Sequence, residues 1–459
     1  MPSRGTHVMK YREGLYNKAF LLMLNDGSEV VARLPNPNAG PPVFTTASEV
    51  ATMEYVREIL GLPGLRVLRW SSDSSNPVGS EYIIMEKAKG IPLGDTWYQL
   101  STLSKHKFMK QVVELETKLA AVPFTEHGCI YYAQNAPRER PKNEYPLYGD
   151  DLKKFCIGPV VDPILWYDER TEIELNRGPW HHLSDHATSI GTNERTWAMQ
   201  YAKPRMNYYR SNTNSEMRDE YIDLIEKYLL VVPHLTQCEP DCADLLQPTS
   251  WHNDLHLNNI YVDLNTETIT DIIDWQSTTV APLLLQAKVP RMARHITPLP
   301  LGWTLSQKDK LKADRLYESA LCHKYHEVCT AKKNPRHYAA LSHNDTWKSP
   351  LILPMKSISG AWSSREMQPV ADYPISFTEE ERNLNNEEME NRDYIEGLME
   401  EFQDAGILPS DRIVDPEDYE VVQKTNGAQK EKFMSLAEDE EQREWMDKIW
   451  PYQDRPSET

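Results

Sequence analysis

A polar segment in the second half of the chain reads Trp251-His252-Asn253-Asp254-Leu255-His256-Leu257-Asn258-Asn259-Ile260. Within it, Asn259 follows Asp254 by five residues. Asp274 lies fifteen residues after Asn259, between the apolar pair Ile272-Ile273 and Trp275. Two carboxylates and an amide at this spacing form a candidate catalytic set if the intervening chain brings their side chains together.

The intervening chain has the pattern of an antiparallel hairpin. Strand-like runs at residues 260–262 and 269–273 flank a polar turn at 265–268. A hairpin centred between residues 266 and 267 would pair Asn259 with Asp274, and cross-strand partners lie roughly 5 Å apart. An amide and a carboxylate oxygen suit Mg²⁺, which also binds phosphate oxygens and water. The sequence therefore predicts a Mg²⁺ site at Asn259 and Asp274.

Asp254 is predicted to lie on the loop before this hairpin, within reach of an attacking hydroxyl. Phosphoryl transfer needs such a carboxylate to orient and deprotonate the acceptor, while separate ligands hold the nucleotide phosphates. The alternative is that His252 and Asp254 only hydrogen-bond a turn and that Asp274 marks a strand end. The hairpin context favours the catalytic interpretation.

The first 90 residues predict a small sheet with one helix. Apolar runs at 20–24 and 30–34 flank the turn sequence Asn25-Asp26-Gly27-Ser28, a tight-hairpin pattern. A helix is expected to begin near residue 46 or 48, and residues 81–86 are expected to form a buried strand.

This sheet offers a second set of candidate residues. The hairpin would pair Arg33 with Phe20, next to a loop at Glu13–Lys18 whose backbone N–H groups could bind phosphates. Glu49, in the first turn of the helix, could reach Arg33, as in the strand cation and helix glutamate of kinases. The alternatives are a simple turn at Gly14, a surface Arg33 and a Glu49 favoured by the helix dipole.

The sequence after residue 90 has mostly helical patterns, interrupted by an irregular insertion at about 127–204. Helices are expected from about residue 103, at 221–232, 308–330 and 335–341, and as a helical hairpin in the tail that opens with a capping box at Ser376–Glu379.

Charge is distributed unevenly along the chain. Of a net charge of −19, residues 376–459 contribute −16, from 25 acidic and 9 basic side chains. The nearly neutral body lacks the basic field that nucleic-acid binding needs, so no nucleic acid is expected as a partner.

No apolar run approaches the ~20 residues of a membrane span, so no membrane insertion is expected. With six cysteines and no export signal, an intracellular protein with reduced thiols is expected.

The residues quoted so far resemble the aminoglycoside phosphotransferase-like superfamily, whose signature is His-Gly-Asp-x-His-x-x-Asn followed by Ile-Asp-Trp or Ile-Asp-Phe. More closely, the sequence is similar to the fungal branch that includes altered inheritance of mitochondria protein 9, over nearly the whole chain. The similarity is carried by Glu13-Gly14-x-x-Asn17-Lys18, Val31-Ala32-Arg33-Leu34-Pro35, Ser48-Glu49-Val50-Ala51-Thr52-Met53, Glu81–Glu86, Arg177-Gly178-Pro179 and Ile273-Asp274-Trp275-Gln276.

This resemblance implies an α+β, bilobal protein-kinase-like fold. Residues 1–88 would form the small antiparallel sheet lobe, 89–375 a larger helical lobe, and 376–459 an acidic helical extension. The branch is associated with mitochondria, whereas the predicted phosphate loop begins only about a dozen residues from Met1 and leaves little room for a transit peptide. A cytoplasmic location, or a mitochondrial one with an incomplete N-terminus, is expected.

The resemblance also implies roles for individual residues. Asp254 would be the catalytic base, with His252 in the same loop, and Asn259 and Asp274 would bind Mg²⁺. The nucleotide would be held by a set of residues in the first lobe: Gly14 and Asn17 in the phosphate loop, Arg33 with Glu49 at the phosphates, and the backbone of Glu86–Ala88, including Glu86 and Ala88, at the adenine. Arg33 stands where the family has Lys, and Asn253 where it has Gly.

The expected function is ATP- and Mg²⁺-dependent phosphoryl transfer to a hydroxyl of a small molecule. Pro282 and Leu283–Leu285 follow Asp274 without an activation segment, which disfavours a protein acceptor.

The alternative is a catalytically weak nucleotide-binding or scaffolding protein of mitochondrial maintenance, whose acidic tail engages a protein partner. Acidic residues near the site would favour a cationic acceptor, and a neutral or basic acceptor pocket would contradict that hypothesis.

Overall fold

The protein is described from a computed structural model covering residues 5–11, 14, 16–135, 153–204, 215–235, 240–295 and 307–342, with parts of 378–390 and 419–449. Its strands are β1 Gly5–Lys10, β2 Asn17–Leu24, β3 Glu29–Pro35, β4 Val67–Ser71, β5 Tyr82–Glu86, β6 Ile91–Pro92, β7 Cys129–Tyr132, β8 Phe155–Gly158, β9 Pro248–Trp251, β10 Ile260–Asp263, β11 Thr268–Ile272 and β12 Thr279–Pro282. Its labelled helices are α1 Phe44–Glu54, α2 Thr102–Leu119, α3 Leu183–Tyr201, α4 Arg218–Leu235, α5 Leu283–Gln286, α6 Gln307–Lys333, α7 Pro335–Ser342, α8 Tyr419–Met434 and α9 Glu440–Ile449.

The chain divides into two compact units. One contains residues 1–193 and 232–350, and the other contains 194–231 and 351–459. All the candidate site residues belong to the first unit. The predicted divisions after residues 88 and 375 stay predictions.

The first unit begins with a five-stranded antiparallel sheet of order β1-β2-β3-β5-β4. Alternation of side chains along β3 and β5 buries Val30, Ala32, Ile83 and Met85. Helix α1 follows β3, and its Val50 and Met53 belong to the same core. The helix starts earlier than predicted, at Phe44, and continues into a single π-helical turn at Tyr55–Ile59.

The turn between β2 and β3 differs from the predicted two-residue loop. Leu24 N–H donates to Ser28 O, so three residues form the loop, and Gly27 takes a φ of 84°. A three-residue loop with a left-handed glycine is a common alternative hairpin. This shifts the register by one, so that Arg33 pairs with Ala19 rather than with Phe20.

The mainly helical part of the first unit is built on α2, α6 and α7, with three small sheets beside them. Strand β10 pairs with β11 and β6, β9 with β12, and β7 with β8. The prediction of an irregular segment at 127–204 is wrong in part, because this segment contains β7, β8 and the 19-residue helix α3. Short strands buried on both faces lack the alternation that marks strands in a sequence.

The second unit contains α4 up to Val231, helical residues between 379 and 390, and α8 and α9. Its capping box lies two residues after the predicted one: Thr378 Oγ1 accepts from Glu381 N–H, and the Glu381 carboxylate accepts from Thr378 N–H. Ser376 lies outside the described residues. Further along the tail, Lys430 of α8 pairs with Asp447 of α9 at 2.6 Å.

An antiparallel sheet together with a mainly helical part confirms the predicted α+β class. Among the helices within the described ranges, none combines the length and apolar character that crossing a membrane requires.

Candidate active site

The loop at residues 252–259, here called the catalytic loop after the role predicted for it from the sequence, starts where β9 ends, at Trp251. It leads through a 3-10 turn at Leu257–Asn259 into β10. Because β9 pairs with β12, with Trp251 opposite Thr279, the loop lies beside the segment that follows β11. His252 Nε2 lies 3.0 Å from Ile273 O, and Asn253 Nδ2 donates to Ser277 O at 2.6 Å. Asn253, where the family has Gly, therefore attaches this loop to the segment carrying Asp274.

His252 is buried, and burial lowers its pKa, so the ring is neutral at physiological pH. Asp254 N–H donates to His252 Nδ1 at 3.2 Å. A neutral ring that accepts at Nδ1 carries its proton on Nε2, which donates to Ile273 O. Both ring nitrogens are thus engaged by backbone groups, an arrangement that positions the loop rather than transferring protons.

Asp254 has a half-exposed carboxylate beside a histidine and an arginine. Its Oδ2 lies 3.5 Å from His256 Nε2, and its Oδ1 lies 3.7 Å from Arg291 Nη2. Contact with His256 holds the pKa of Asp254 below its usual range, with Arg291 adding to the effect and partial burial opposing it. The carboxylate is therefore ionised near neutral pH and can accept a hydrogen bond from a hydroxyl.

The hairpin register at Asn259 differs from the predicted one. Ile260 pairs with Ile272, and Ile273 N–H donates to Asn259 O at 3.0 Å, so Asn259 lies beside Ile273 and not opposite Asp274. The cause is the turn: Asp263 pairs with Thr268, so the hairpin is centred between residues 265 and 266, one residue earlier than predicted. A bulge at Thr270, whose hydroxyl donates to Lys89 O at 2.6 Å, restores one of the two register positions that this change costs.

Two oxygen-bearing side chains still lie at this end of the hairpin. Asn259 Nδ2 donates to Asp254 O at 2.9 Å, which ties the buried amide to the catalytic loop. Asp274 is 39% exposed and has a φ of 63°, an unusual conformation for a residue other than glycine.

Arg33 connects the sheet to Asp274. Its guanidinium forms an ion pair with Glu49 of α1, and its Nη1 lies 3.2 Å from Asp274 Oδ1. Burial lowers the pKa of Arg33, and Asp274 opposes that shift. The predicted contact between Arg33 and Glu49 is present, and the planar guanidinium reaches Glu49 and Asp274 together, which a Lys ammonium does less readily.

The residues near the predicted phosphate loop are also tied to this region. Asn17 Nδ2 donates to Gln276 Oε1 at 2.6 Å, and Gln276 Nε2 donates to Ala39 O at 2.6 Å. Gly14 N–H donates to Asn17 O at 3.2 Å, so this N–H is engaged within the loop. Glu13 and Leu15 lie outside the described residues.

The predicted adenine site lies at the end of β5. Glu86 N–H donates to Arg66 O, and the Glu86 carboxylate lies 3.0 Å from Arg66 Nε. Within the described part of the chain, the backbone of Ala88 makes no hydrogen bond, so its N–H and C=O are available to a ligand.

A cavity of about 170 Å³ adjoins the catalytic loop, and Asp254 lines it. Lys288, Arg291 and Arg294 also line it. Sequence reasoning did not select these three residues, although three basic residues spaced three apart directly after α5 were a visible signal. Their basic character does not support the acid-rich surroundings on which a cationic acceptor was predicted.

Comparison with known proteins identifies the family of this chain. The model of the phosphotransferase enzyme family (APH) matches residues 7–285, more than half of the chain. The chain belongs to this family, and with it the predicted kinase-like fold is confirmed.

Two similar relatives are fungal. The Subtelomeric hrmA-associated cluster protein of Aspergillus fumigatus is 29% identical over 507 aligned residues, covering 98% of this chain and 97% of that protein. Altered inheritance of mitochondria protein 9, mitochondrial, of Candida tropicalis is 26% identical over 305 residues, covering 61% of this chain and 48% of that protein. The suspected resemblance to the fungal branch is confirmed.

Among solved structures, an aminoglycoside phosphotransferase in ternary complex with AMP-PNP and hygromycin B is 14% identical. It covers 77% of this chain and 85% of its own, with a TM-score of 0.38. The family assignment rests on the sequence match.

Proposed function

We propose that the protein transfers the γ-phosphoryl group of ATP, in a Mg²⁺-dependent reaction, to a hydroxyl of a small molecule. The observation that carries this proposal is the direct connection between the two halves of the site: Arg33 contacts Glu49 in the sheet part and Asp274 beside the catalytic loop. Family membership supports it. The name of the Candida relative, a mitochondrial protein, supports a mitochondrial rather than a cytoplasmic location.

Asn259 and Asp274 have the donor chemistry for Mg²⁺. Asn259 uses its Nδ2 on Asp254 O, so its Oδ1 remains for a cation, and Arg33 contacts only Oδ1 of Asp274. The described residues contain no cluster of three or more His, Cys, Asp or Glu suited to a metal. Two oxygen ligands completed by phosphate and water are the usual protein share of a Mg²⁺ site. The ion, when bound, neutralises charge on the phosphate oxygens.

In the proposed reaction, the acceptor hydroxyl donates a hydrogen bond to the ionised Asp254 carboxylate and gives up its proton there. Its oxygen forms a bond to the γ-phosphorus as the bond from that phosphorus to the β,γ-bridging oxygen breaks, and ADP leaves. Arg33, fixed by Glu49, would hold the phosphates by charge. His252 and Asn253 keep the loop against residues 273–277, so Asp254 keeps its position.

The test compares Asp254→Asn with Asp274→Asn. Asp254→Asn should retain Mg²⁺-dependent ATP binding by calorimetry but lose about 10²- to 10⁴-fold in kcat, because only the proton acceptor is removed. Asp274→Asn should lose the Mg²⁺-dependent part of ATP binding. Asp263→Asn, at the last residue of β10 and away from the candidate site, is the control for a lost carboxylate.

Three results would contradict the proposal. If the natural protein bound no ATP with or without Mg²⁺, a nucleotide site would be excluded. If it bound ATP and Asp254→Asn kept full turnover, Asp254 would not be the base. Nucleotide binding without any turnover would favour the nucleotide-binding or scaffolding alternative.

A further inference from the structure

The cavity beside Asp254, here called the basic cavity, is lined by Lys288, Arg291 and Arg294 and by two carboxylates, Asp254 and Glu116. These charged side chains differ in whether other side chains of the protein already pair with them. That difference decides which acceptor the cavity can accept.

Glu116 is committed to a buried contact. Its side chain is 3% exposed, and its Oε2 lies 3.0 Å from His326 Nε2 and 3.9 Å from His337 Nδ1. Asp254, the other acid, is the proposed proton acceptor and must face the reacting hydroxyl. Neither carboxylate is available to pair with a separate cationic group on the acceptor.

The basic side chains are in the opposite situation. Lys288, Arg291 and Arg294 are exposed. Over the described ranges, Lys288 and Arg294 have no carboxylate within ion-pair distance, and Arg291 has only the 3.7 Å contact with Asp254. The charges left for a ligand are therefore positive.

These three residues are held by a fixed backbone. They lie on and around a 3-10 turn at Arg291–Ala293, whose Ala293 is fully buried. Helix α6 holds the turn through two contacts: Ala293 O lies 2.9 Å from His323 Nδ1, and Ser319 Oγ donates to Arg294 O at 3.1 Å. Positive charge is thus preorganised beside the proposed base.

We propose that the acceptor is anionic: a small hydroxyl compound that also carries a carboxylate or a phosphate monoester. This rests on the proposed function and names its substrate class. The anionic group binds Lys288 and Arg294, and the hydroxyl faces Asp254. The hydroxyl proton passes to Asp254, its oxygen bonds to the γ-phosphorus of ATP, and the bond to the β,γ-bridging oxygen breaks to release ADP. Like charge across the cavity disfavours a polycationic acceptor.

The test measures ATP-dependent phosphoryl transfer by the full chain to hydroxyl compounds matched in shape and different in charge. The probes are glucuronate and glucose 6-phosphate as the two kinds of anion, glucose as the neutral compound and glucosamine as the cation, with glycerate, glycerol 3-phosphate and glycerol as a smaller set. The highest kcat/KM should belong to an anion. Comparison of the carboxylate with the phosphate ester distinguishes the two sources of charge.

The double variant Lys288→Gln/Arg294→Gln tests the assignment of the two bases. Losing two exposed charge contacts should lower the ratio of anionic to neutral kcat/KM about tenfold, mostly through KM. Lys110→Gln/Lys332→Gln removes the same charge at two exposed positions away from the cavity lining and should keep the ratio within about twofold.

Each outcome is decisive. Preference for glucose or glucosamine, an unchanged ratio in the double variant, or no transfer to any anion by a protein that binds Mg²⁺ and ATP through Asp274 would overturn the anionic class and leave the nucleotide site standing. Failure to bind ATP would instead overturn the proposed function, and this inference with it.

Discussion

At the residue scale, Arg33 is the side chain on which both halves of the site depend. Glu49, its ion-pair partner, is 3% exposed. Removing one member of a buried ion pair leaves an uncompensated charge, which typically costs about 3 to 5 kcal/mol. We expect Arg33→Met to lower the free energy of unfolding by about that amount, measured by urea denaturation.

Two variants give the comparison. Arg69→Met, at an exposed position on β4, should change the free energy of unfolding by less than about 0.5 kcal/mol. Adding Glu49→Gln to Arg33→Met should recover part of the loss, because the buried charge is then removed. An Arg33→Met protein as stable as the natural one would show that the pair contributes nothing.

Some of these contacts between residues could be predicted from the sequence, and others could not. Arg33 and Glu49 could be paired in advance because a strand and the following helix constrain both. The Asn253 bond to Ser277, and the proximity of Arg291 to Asp254, depend on how separate chain segments pack, and local pattern carries no information on that packing.

At the element scale, the β10–β11 hairpin is fixed in place by the segment before β6. Lys89 N–H donates to the Asp271 carboxylate at 2.8 Å, and the bulged Thr270 donates to Lys89 O. The sequence predicted the hairpin correctly but not its register, because the turn is centred one residue earlier than predicted and the bulge restores only part of that difference. A one-residue slip changes which side chain meets which, and so Asn259 lies beside Ile273.

Gly90 makes this packing possible. It has a φ of 81°, and a Cβ there would lie 2.2 Å from Val262 O in β10. We expect Gly90→Ala to lower the free energy of unfolding by at least ~2 kcal/mol, from a clash with backbone added to left-handed strain, measured by urea denaturation.

Gly79→Ala separates the two causes. Gly79 has a φ of 73° with nothing within 4 Å of its Cβ position, so it should lose only about 1 kcal/mol, from strain alone. Equal losses in the two variants would mean that the contact with Val262 does not constrain the hairpin.

At the scale of the whole molecule, the pH dependence of stability is set in part by two histidines that the first unit buries without charge. His127 and His186 lie with ring centroids 4.2 Å apart, against Trp180. Burial lowers the pKa of His186 to about 4 and that of His127 well below its usual value. Nδ1 of each ring has no hydrogen-bond partner among the described residues, so nothing there stabilises the protonated forms.

This pair makes folding stability depend on pH with a definite sign. As pH falls through about 6.5, the unfolded chain binds a proton on each histidine, whereas the folded chain binds one on His186 only near pH 4. The free energy of unfolding should therefore fall between pH 6.5 and 4, by ~3 kcal/mol for His186. Urea denaturation at several pH values measures this slope. His186→Phe keeps an apolar ring and should make the slope shallower by the contribution of His186, whereas His182→Phe, at an exposed position on the same segment, should leave it unchanged. A slope that His186→Phe does not alter would show that the acid sensitivity comes from other groups.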